Sequence, residues 1–285
     1  MGTILVTGAS GNVGREVVRA LTARGATVRA GVYERNDTAR LFPTAETARF
    51  DFASPATFPA AFAGVDRLFL MRPPAISNVN RDIRPVIDYA ARAGVGQVVF
   101  LSLIGAERNP LLPHARIERL LAGSGMPWTT LRCGFFMQNL DTTHRDDIVE
   151  HNDLFVPAGD GRTAFIDARD IGDAAARVLT EAGHAGAAYA LTGSESLTYA
   201  EVAAIMSQEL GRPITYSRPT LPAFARHMRR RGHPWQYVAV MSGVYLTTRL
   251  GLAAAVYPDA AALLGRPPIT MRQYVRDYAA SFQVN

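Results

Sequence analysis

The chain has 285 residues, of which 48% are hydrophobic and 19% charged, and its formal net charge is +5 at pH 7. This is a globular composition, and no apolar run approaches the roughly 20 residues that span a bilayer. All thirty basic residues are arginine, which excludes every mechanism that needs a lysine, such as a Schiff base or a P-loop.

A single cysteine, Cys133, excludes intrachain disulfides and cysteine-built zinc sites, and we find no metal-binding motif. The arginines are scattered except in ARHMRRR at residues 225–231, which we interpret as a solvated helix face. The chain also opens into a strand rather than a signal-peptide pattern. We therefore expect a cytoplasmic monomer or homodimer that binds a small molecule, with neither nucleic acid nor membrane as a partner.

Near the N-terminus, residues 3–14 read TILVTGASGNVG, an apolar run followed by a glycine-rich loop and a helix-forming segment. A strand that ends in such a loop lets backbone N–H groups and a helix N-terminus meet a diphosphate, with no Cβ in the way. This pattern predicts a dinucleotide site contacted by Gly8, Ser10, Gly11, Asn12, Val13 and Gly14.

The second strand, predicted at residues 26–32, ends in Tyr33-Glu34-Arg35-Asn36. An acid at this position favours NAD by accepting from the ribose 2′-OH, whereas an arginine favours NADP by binding a 2′-phosphate. Both residue types are present, and we predict NADP with Arg35 on the phosphate and Arg40 as a more distant helper, NAD being the alternative. Tyr33 is a further predicted contact. A short third strand at residues 48–52 would bring Asp51 and Phe52 beside the adenine.

Further apolar strands are predicted at residues 65–71, 97–101, 127–132 and 187–191, with helices between them. Successive strands and helices of this kind predict an α/β fold with a doubly wound parallel Rossmann sheet. Prolines stop the fourth strand at the carboxyl edge of the sheet, where ligands of this architecture bind. We therefore predict cofactor contacts from Met71, Arg72 and Pro73. Arg72 and Arg132 are candidates either to orient an anionic group or to form structural ion pairs with Asp167 or Asp170.

We divide the chain into a Rossmann domain at residues 1–192, of which 134–163 contribute to the substrate pocket, and a lobe at 193–285. The lobe is smaller, mainly helical and substrate-binding, and Thr198 with Glu201 predicts a capping box at the start of one helix. Apolar residues at the sheet edge and in the lobe suggest a flat apolar substrate. The predicted substrate contacts are Pro74, Phe135, Phe136, Met137, Asn139, Trp235 and Tyr237.

Several segments carry a resemblance to a known family: VTGASGNVG, FLSLIGAE, HARIERLLAGSGMPWTTLRCGFFMQNL, FIDARDIGDAAARVL and LTGSESLTYAEVAAIMSQELGRPITY. They span most of residues 3–216 and resemble the NmrA-like group of atypical short-chain dehydrogenase/reductases. That resemblance implies either an NADP-dependent reductase or a non-catalytic redox-sensing regulator.

The chain departs from the family pattern at the residues that would carry the chemistry. The superfamily's Tyr-x-x-x-Lys acid is absent, because the chain has no lysine and no tyrosine between Tyr89 and Tyr189. Relatives often keep a lysine four residues before a glutamate of this helix, and the match of that glutamate to Glu118 places His114 at the lysine position. Tyr33 stands where many relatives carry the 2′-phosphate arginine. Tyr245-x-x-x-Arg249 reproduces only the spacing of the missing motif, and we interpret it as packing.

The candidate catalytic residues are therefore His114 and Ser102. An imidazole with a pKa near neutrality can donate a proton, and a serine at a strand end can hydrogen-bond a carbonyl oxygen. The alternatives are that His114 only caps its helix or contacts ribose, and that water or a substrate hydroxyl acts instead.

The sequence thus predicts an NADP(H)-dependent ketoreductase or quinone reductase that transfers hydride to a carbonyl of a fairly large, aromatic substrate, with secondary metabolism as its expected setting. The alternative is a non-catalytic NAD(P)-sensing regulatory protein.

Overall fold

The computed structural model describes residues 2–33, 38–74 and 76–283. Within them the strands in chain order are β1 (Thr3–Val6), β2 (Val28–Val32), β3 (Glu46–Arg49), β4 (Val65–Met71), β5 (Gln97–Leu103), β6 (Trp128–Cys133), β7 (Phe135–Phe136), β8 (Arg162–Thr163), β9 (Phe165–Ile166), β10 (Ala188–Leu191) and β11 (Leu197–Thr198). The α-helices are α1 (Asn12–Ala23), α2 (Thr38–Leu41), α3 (Phe58–Phe62), α4 (Arg84–Arg92), α5 (Pro113–Ala122), α6 (Arg145–His151), α7 (Ala168–Thr180), α8 (Tyr199–Leu210), α9 (Leu221–Arg230), α10 (Trp235–Arg249), α11 (Asp259–Leu264) and α12 (Met271–Asp277).

Seven of the strands form one sheet in the order β10-β6-β5-β4-β1-β2-β3. All six strand pairs are parallel, which confirms the predicted doubly wound fold. The chain moves outward from β1 to β3 and then returns to β4 on the other side of β1. The crevice outside the carboxyl ends of β1 and β4 is therefore the topological switch point, where ligands of such sheets bind.

Most predicted strands lie within one or two residues of the observed ones, but the third is displaced. β3 ends at Arg49, so Asp51 and Phe52 lie beyond the strand. The ladder stops because β2 ends at Val32, whose carbonyl accepts the last bond, from the Phe50 N–H at 2.8 Å. Asp51 then forms a turn in which its Oδ1 accepts from the Ala53 N–H at 2.9 Å.

The contacts of the chain group it into two compact units, of which the first comprises Met1–Cys133, Ala168–Leu191 and Asp259–Arg266. It contains the seven-stranded sheet, with α1 packed against α7 and α4 packed against α5. An apolar core of side chains from β4, β5 and the helices α3 to α5 includes Phe58, Leu70, Ile87, Phe100 and Ile117.

The second unit comprises Gly134–Asp167, Thr192–Pro258 and Pro267–Asn285. Its core is rich in buried aromatic and apolar side chains, among them Phe165, Tyr199, Phe224, Tyr245 and Tyr274. The predicted capping box is present, because Thr198 accepts from the Glu201 N–H and Glu201 accepts from the Thr198 N–H. The proposed domain boundary at residue 192 stays a prediction. None of the helices in the described parts of the chain is long and apolar enough to cross a membrane.

Candidate functional site

The glycine loop after β1 has no room for side chains at two of its three glycines. Gly8 has a φ of +61°, and a Cβ there would lie 2.3 Å from the Met71 Cε. A Cβ on Gly14 would lie 2.1 Å from the Gly8 carbonyl oxygen, a distance no real Cβ adopts. Only glycine allows this strand-to-helix turn, which leaves the backbone of the loop bare.

The helix that follows the loop has an N-terminus without a side-chain cap. Gly11 is the N-cap residue, and α1 has no acidic residue in its first turn. The first N–H groups of a helix have no intrahelical partner, and the helix dipole favours an anion there. Ser10 beside them is exposed, and Asn12 is half-buried. The residues present therefore fit the diphosphate of a dinucleotide.

The end of β4 is joined to the glycine loop through Thr7. The Thr7 hydroxyl donates to the Phe69 carbonyl oxygen at 3.2 Å and accepts from the Met71 N–H at 2.9 Å. These bonds hold the carboxyl ends of β1 and β4 side by side. Met71 and the half-buried Pro73 therefore lie at the switch point next to the loop, where the sequence places cofactor contacts.

Arg72 forms no ion pair with a carboxylate among the described residues. Its Nη1 donates to the carbonyl oxygens of Pro73 at 3.1 Å, Pro74 at 3.2 Å and Ile76. Burial lowers the pKa of this guanidinium, and its Nε is buried without a hydrogen-bond partner in the part of the chain that the structure describes. A cation in this state is available to an anionic group.

The predicted adenosine contacts differ in their exposure. Tyr33 follows β2 and is 64% exposed, whereas Phe52 is 6% exposed and packs edge-on against Phe50 at 4.9 Å between ring centroids. Phe52 is thus a core residue, and Asp51 is half-buried in its turn. Arg35, the predicted 2′-phosphate ligand, lies outside the described residues.

At the end of β5, Ser102 belongs to a polar cluster that extends to α5 and β6. The Ser102 hydroxyl donates to Glu118 Oε1 at 2.6 Å, and Arg132 Nη2 donates to Glu118 Oε2 at 2.7 Å. Arg132 also lies 3.7 Å from Glu107, so the structure favours the ion-pair role for this arginine, with Glu118 and Glu107 as partners in place of the predicted Asp167 or Asp170. Glu118 served only to place His114 in the family match and is not among the predicted site residues, although its place four residues after His114 puts both on one face of α5.

The expectation that His114 titrates near neutrality is wrong. Burial, with the nearby charge of Arg72, lowers the pKa of His114 to about 4. The ring lies 6.0 Å from that of Phe100, and its Nδ1 is buried without a partner among the described residues. At pH 7 His114 is therefore a neutral imidazole, which donates a hydrogen bond but is rarely protonated.

The predicted substrate contacts of the second unit occupy two segments. Phe135, Phe136 and Asn139 are half-buried and Met137 is 2% exposed. At the start of α10, Trp235 is 63% exposed and the half-buried Tyr237 stacks on His233 at 4.8 Å. In the first unit, Pro74 is exposed. All these assignments stay predictions.

The second unit also contains a buried imidazole that sequence analysis missed. His144 and Tyr245 are each 2% exposed, and His144 Nε2 shares a hydrogen bond with the Tyr245 hydroxyl. Burial, with the charges of Arg231 and His227, lowers the pKa of His144 to about 4. Tyr245 is buried against Phe224 and Tyr199, as expected of a packing residue.

Comparison with known proteins yields a family and several relatives. The model of the NmrA-like family matches residues 1–248. An NAD(P)H azoreductase of Xenophilus azovorans is 35% identical, covering 98% of this chain and 99% of its own. Quinone oxidoreductase 2 of Escherichia coli (strain K12) is 32% identical, covering 81% of this chain and 82% of its own.

A solved structure has the same fold. The crystal structure of the Escherichia coli NADPH-dependent quinone oxidoreductase complexed with NADPH superposes with a TM-score of 0.86. The sequence identity is 28%, and the match covers 96% of this chain and 99% of the other.

Proposed function

The chain belongs to the NmrA-like family, and on that premise we propose that it is an NADPH-dependent reductase of quinones and related flat, conjugated acceptors. The observation that carries the proposal is the bare loop from Gly8 to Gly14 against the uncapped N-terminus of α1. The relatives named as an NAD(P)H azoreductase and a quinone oxidoreductase support it, because both are oxidoreductases of conjugated acceptors.

The cofactor we propose is NADPH, which supplies a hydride when bound. The loop N–H groups of Asn12 and Val13 would hold its diphosphate, and Arg35 would bind the 2′-phosphate. Met71, Arg72 and Pro73 would contact the cofactor at the switch point. NAD stays as the alternative, since Glu34 precedes Arg35.

For the reaction, His114 stabilises the oxygen on which negative charge develops. A neutral imidazole N–H acts as an oxyanion donor without a change of protonation, and the proton for the product then comes from water or from the substrate. Because the Ser102 hydroxyl hydrogen is directed to Glu118, Ser102 offers lone pairs to the site. It donates to a substrate oxygen only when released from that carboxylate.

We assign substrate recognition to Pro74, Phe135, Phe136, Met137, Asn139 and Tyr237, and we leave out Trp235, the seventh residue predicted from the sequence, because it is 63% exposed. Aromatic faces favour a flat, apolar acceptor, and quinones, azo compounds and polycyclic ketones share that shape. A hydroxyl beside the carbonyl of such a ketone can stabilise the alkoxide internally, which suits a chain without the Tyr-Lys acid. Secondary metabolism stays the setting that we propose for this reaction.

One assay separates this proposal from a non-catalytic NAD(P) sensor, which the absent acid favours. The purified chain is given NADPH with a panel of quinones, azo dyes and hydroxylated polycyclic ketones, and NADPH oxidation is followed by absorbance. Acceptor-dependent oxidation is the expected result. Tight NADPH binding without turnover on any acceptor would make the chain a sensor and refute the reductase.

A further inference from the structure

Large apolar side chains are exposed mainly in one short segment of the second unit. Of the nine such side chains that the described residues expose, six lie within residues 235–256: Trp235, Val240, Leu246, Leu250, Leu252 and Val256. Exposed apolar side chains scattered singly need no explanation, but a contiguous patch marks an interaction surface.

Helix α10 carries three of these six side chains on one side. Val238 and Tyr245 are buried in the core of the unit, whereas Trp235, Val240 and Leu246 are exposed on the opposite side. The other exposed positions of that side, up to Thr247, are also uncharged: Gln236, Ala239, Gly243 and Thr247. An uncharged, outward-facing helix surface of about 20 Å is unusual for a surface helix, which normally has charged residues there.

The neighbouring helix supplies positive charge. Residues 211–258 contain no aspartate or glutamate and seven arginines. Three of these, Arg226, Arg229 and Arg230, are exposed on α9, and none contacts a carboxylate among the described residues. Their charge is therefore directed to the solvent rather than neutralised within the chain.

The basic and apolar parts meet at a direct contact. The guanidinium of Arg229 lies over the ring of Trp235, 5.2 Å from its centroid. We name the exposed surface formed by Arg226, Arg229, Arg230, Trp235, Val240 and Leu246 the α9–α10 face. It combines an uncharged apolar side, a tryptophan at its edge and three unneutralised arginines.

We propose that the α9–α10 face binds the surface of an anionic lipid membrane. The apolar side chains enter the boundary between headgroups and acyl chains, Trp235 lies at headgroup depth, and the arginines contact lipid phosphates. The contact is peripheral, since none of the described helices is long and apolar enough to span a bilayer. Membrane binding would determine where the protein resides and does not depend on the proposed reaction.

The charge and the apolar side chains of the α9–α10 face fit an anionic membrane better than they fit a second copy of the chain or a nucleic acid. In a symmetric dimer through this face, the arginines of the two copies would approach one another with no acid in residues 211–258 to neutralise them. Nucleic acid would match the arginines but would leave Val240 and Leu246 without a role, because phosphate recognition does not need an apolar side.

The test is vesicle flotation of the full chain. We expect binding to vesicles of phosphatidylcholine mixed with phosphatidylglycerol, about tenfold weaker binding to phosphatidylcholine alone, and loss of binding at high salt. Emission from Trp235 shifts to the blue on binding, and Trp235→Phe abolishes the shift, since the second tryptophan, Trp128, packs against the core of the first unit.

Two variants and a matched control locate the contact. The double change Val240→Glu with Leu246→Glu, and separately Arg226→Glu with Arg230→Glu, each lower the partition coefficient about tenfold or more. Leu111→Glu, at a leucine that is 76% exposed outside the face, leaves binding unchanged. A urea unfolding transition of the Val240→Glu, Leu246→Glu protein that matches that of the original chain shows that the variant is folded.

Three outcomes overturn the proposal. The first is equal or absent binding to both kinds of vesicle. The second is a dimer that becomes a monomer in Val240→Glu, Leu246→Glu without any vesicle binding by the original chain, which assigns the face to a second copy. The third is tight binding of single-stranded DNA that survives these apolar substitutions while vesicles do not bind, which assigns the arginines to nucleic acid.

Discussion

The hydroxyl of Ser102 donates to Glu118 across 2.6 Å, and the same carboxylate accepts from Arg132 at 2.7 Å. A serine near the end of β5 is thus hydrogen-bonded to a residue of α5 that also forms an ion pair with Arg132. We expect the pair to stabilise the fold and to set the direction of the Ser102 hydroxyl. The two roles respond differently to substitution, so each can be measured.

Glu118→Gln keeps an acceptor for Ser102 but removes the charge that neutralises the half-buried Arg132. We expect a loss of about 1–3 kcal/mol in the free energy of unfolding, measured by urea denaturation, because an unpaired charge is left behind. Glu107→Gln is the matched control, since its contact with Arg132 is 3.7 Å and should change stability by about 0–1 kcal/mol. Equal effects of the two changes would contradict this assignment.

Gly14→Ala places a Cβ against the Gly8 carbonyl oxygen and forces the loop to move. We expect the Kd for NADPH, measured by calorimetry, to rise about tenfold or more, with a stability cost of about 1–3 kcal/mol. Gly123→Ala is the control. Gly123 is the C-cap residue of α5 with a φ of −91°, and a Cβ there would lie 3.5 Å from its nearest neighbour, the Arg119 carbonyl oxygen. Undiminished NADPH binding by Gly14→Ala would refute the diphosphate site.

Arg35 should determine the choice between NADPH and NADH. We expect Arg35→Ala to weaken NADPH binding about tenfold and leave NADH binding unchanged, because only NADPH carries the 2′-phosphate. Arg40→Ala, at an exposed arginine of the next helix, should weaken NADPH binding less, because Arg40 is predicted to be only a more distant helper. A parallel loss for both cofactors in Arg35→Ala would place this side chain elsewhere.

His114 should act without titrating in the neutral range. Because burial lowers its pKa to about 4, we expect kcat/KM to show no ionisation from this group near pH 6.5. His114→Phe should lower kcat about 100-fold with unchanged NADPH affinity, since an oxyanion donor is lost. The control is His151→Phe at an exposed histidine. Full activity in His114→Phe would transfer the role to Ser102, water or the substrate.

Acid should destabilise the chain through its buried histidines. The pKa of His144 is about 4 in the folded state, below its unfolded value of about 6.5, so the unfolded state takes up the proton first. The contribution of His144 to the free energy of unfolding is complete above the pKa of the unfolded state. It is lost as the pH falls toward the pKa of the folded state.

Between about pH 7 and pH 5 we expect His144 to lower the free energy of unfolding by an amount on the order of 2 kcal/mol. Urea denaturation at each pH measures this change. His144→Gln should be less stable at neutral pH, because its bond to Tyr245 is altered, but its stability should depend less on pH. A pH dependence as steep as that of the original chain would show that His144 is not the responsible group.

Local patterns in the sequence were enough to predict the parallel sheet, the glycine loop and the capping box at Thr198 and Glu201. Each depends on neighbours within a few residues: apolar runs form strands, and glycine alone permits the turn at Gly8. The bounds of β3 were predicted less well, because its end depends on where β2 stops, and that is a property of the pairing rather than of either strand.

The pattern of residues along the chain determined the fold and the nucleotide loop, and the absence of lysine removed the superfamily's proton relay. Tertiary structure alone decided which groups meet and how they are charged. Ser102 meets Glu118 across 16 positions and His144 meets Tyr245 across 101, and no local pattern encodes such pairs. The pKa of His114 likewise departs from neutrality because β5, α5 and Arg72 surround it, and desolvation arises only when distant segments pack together.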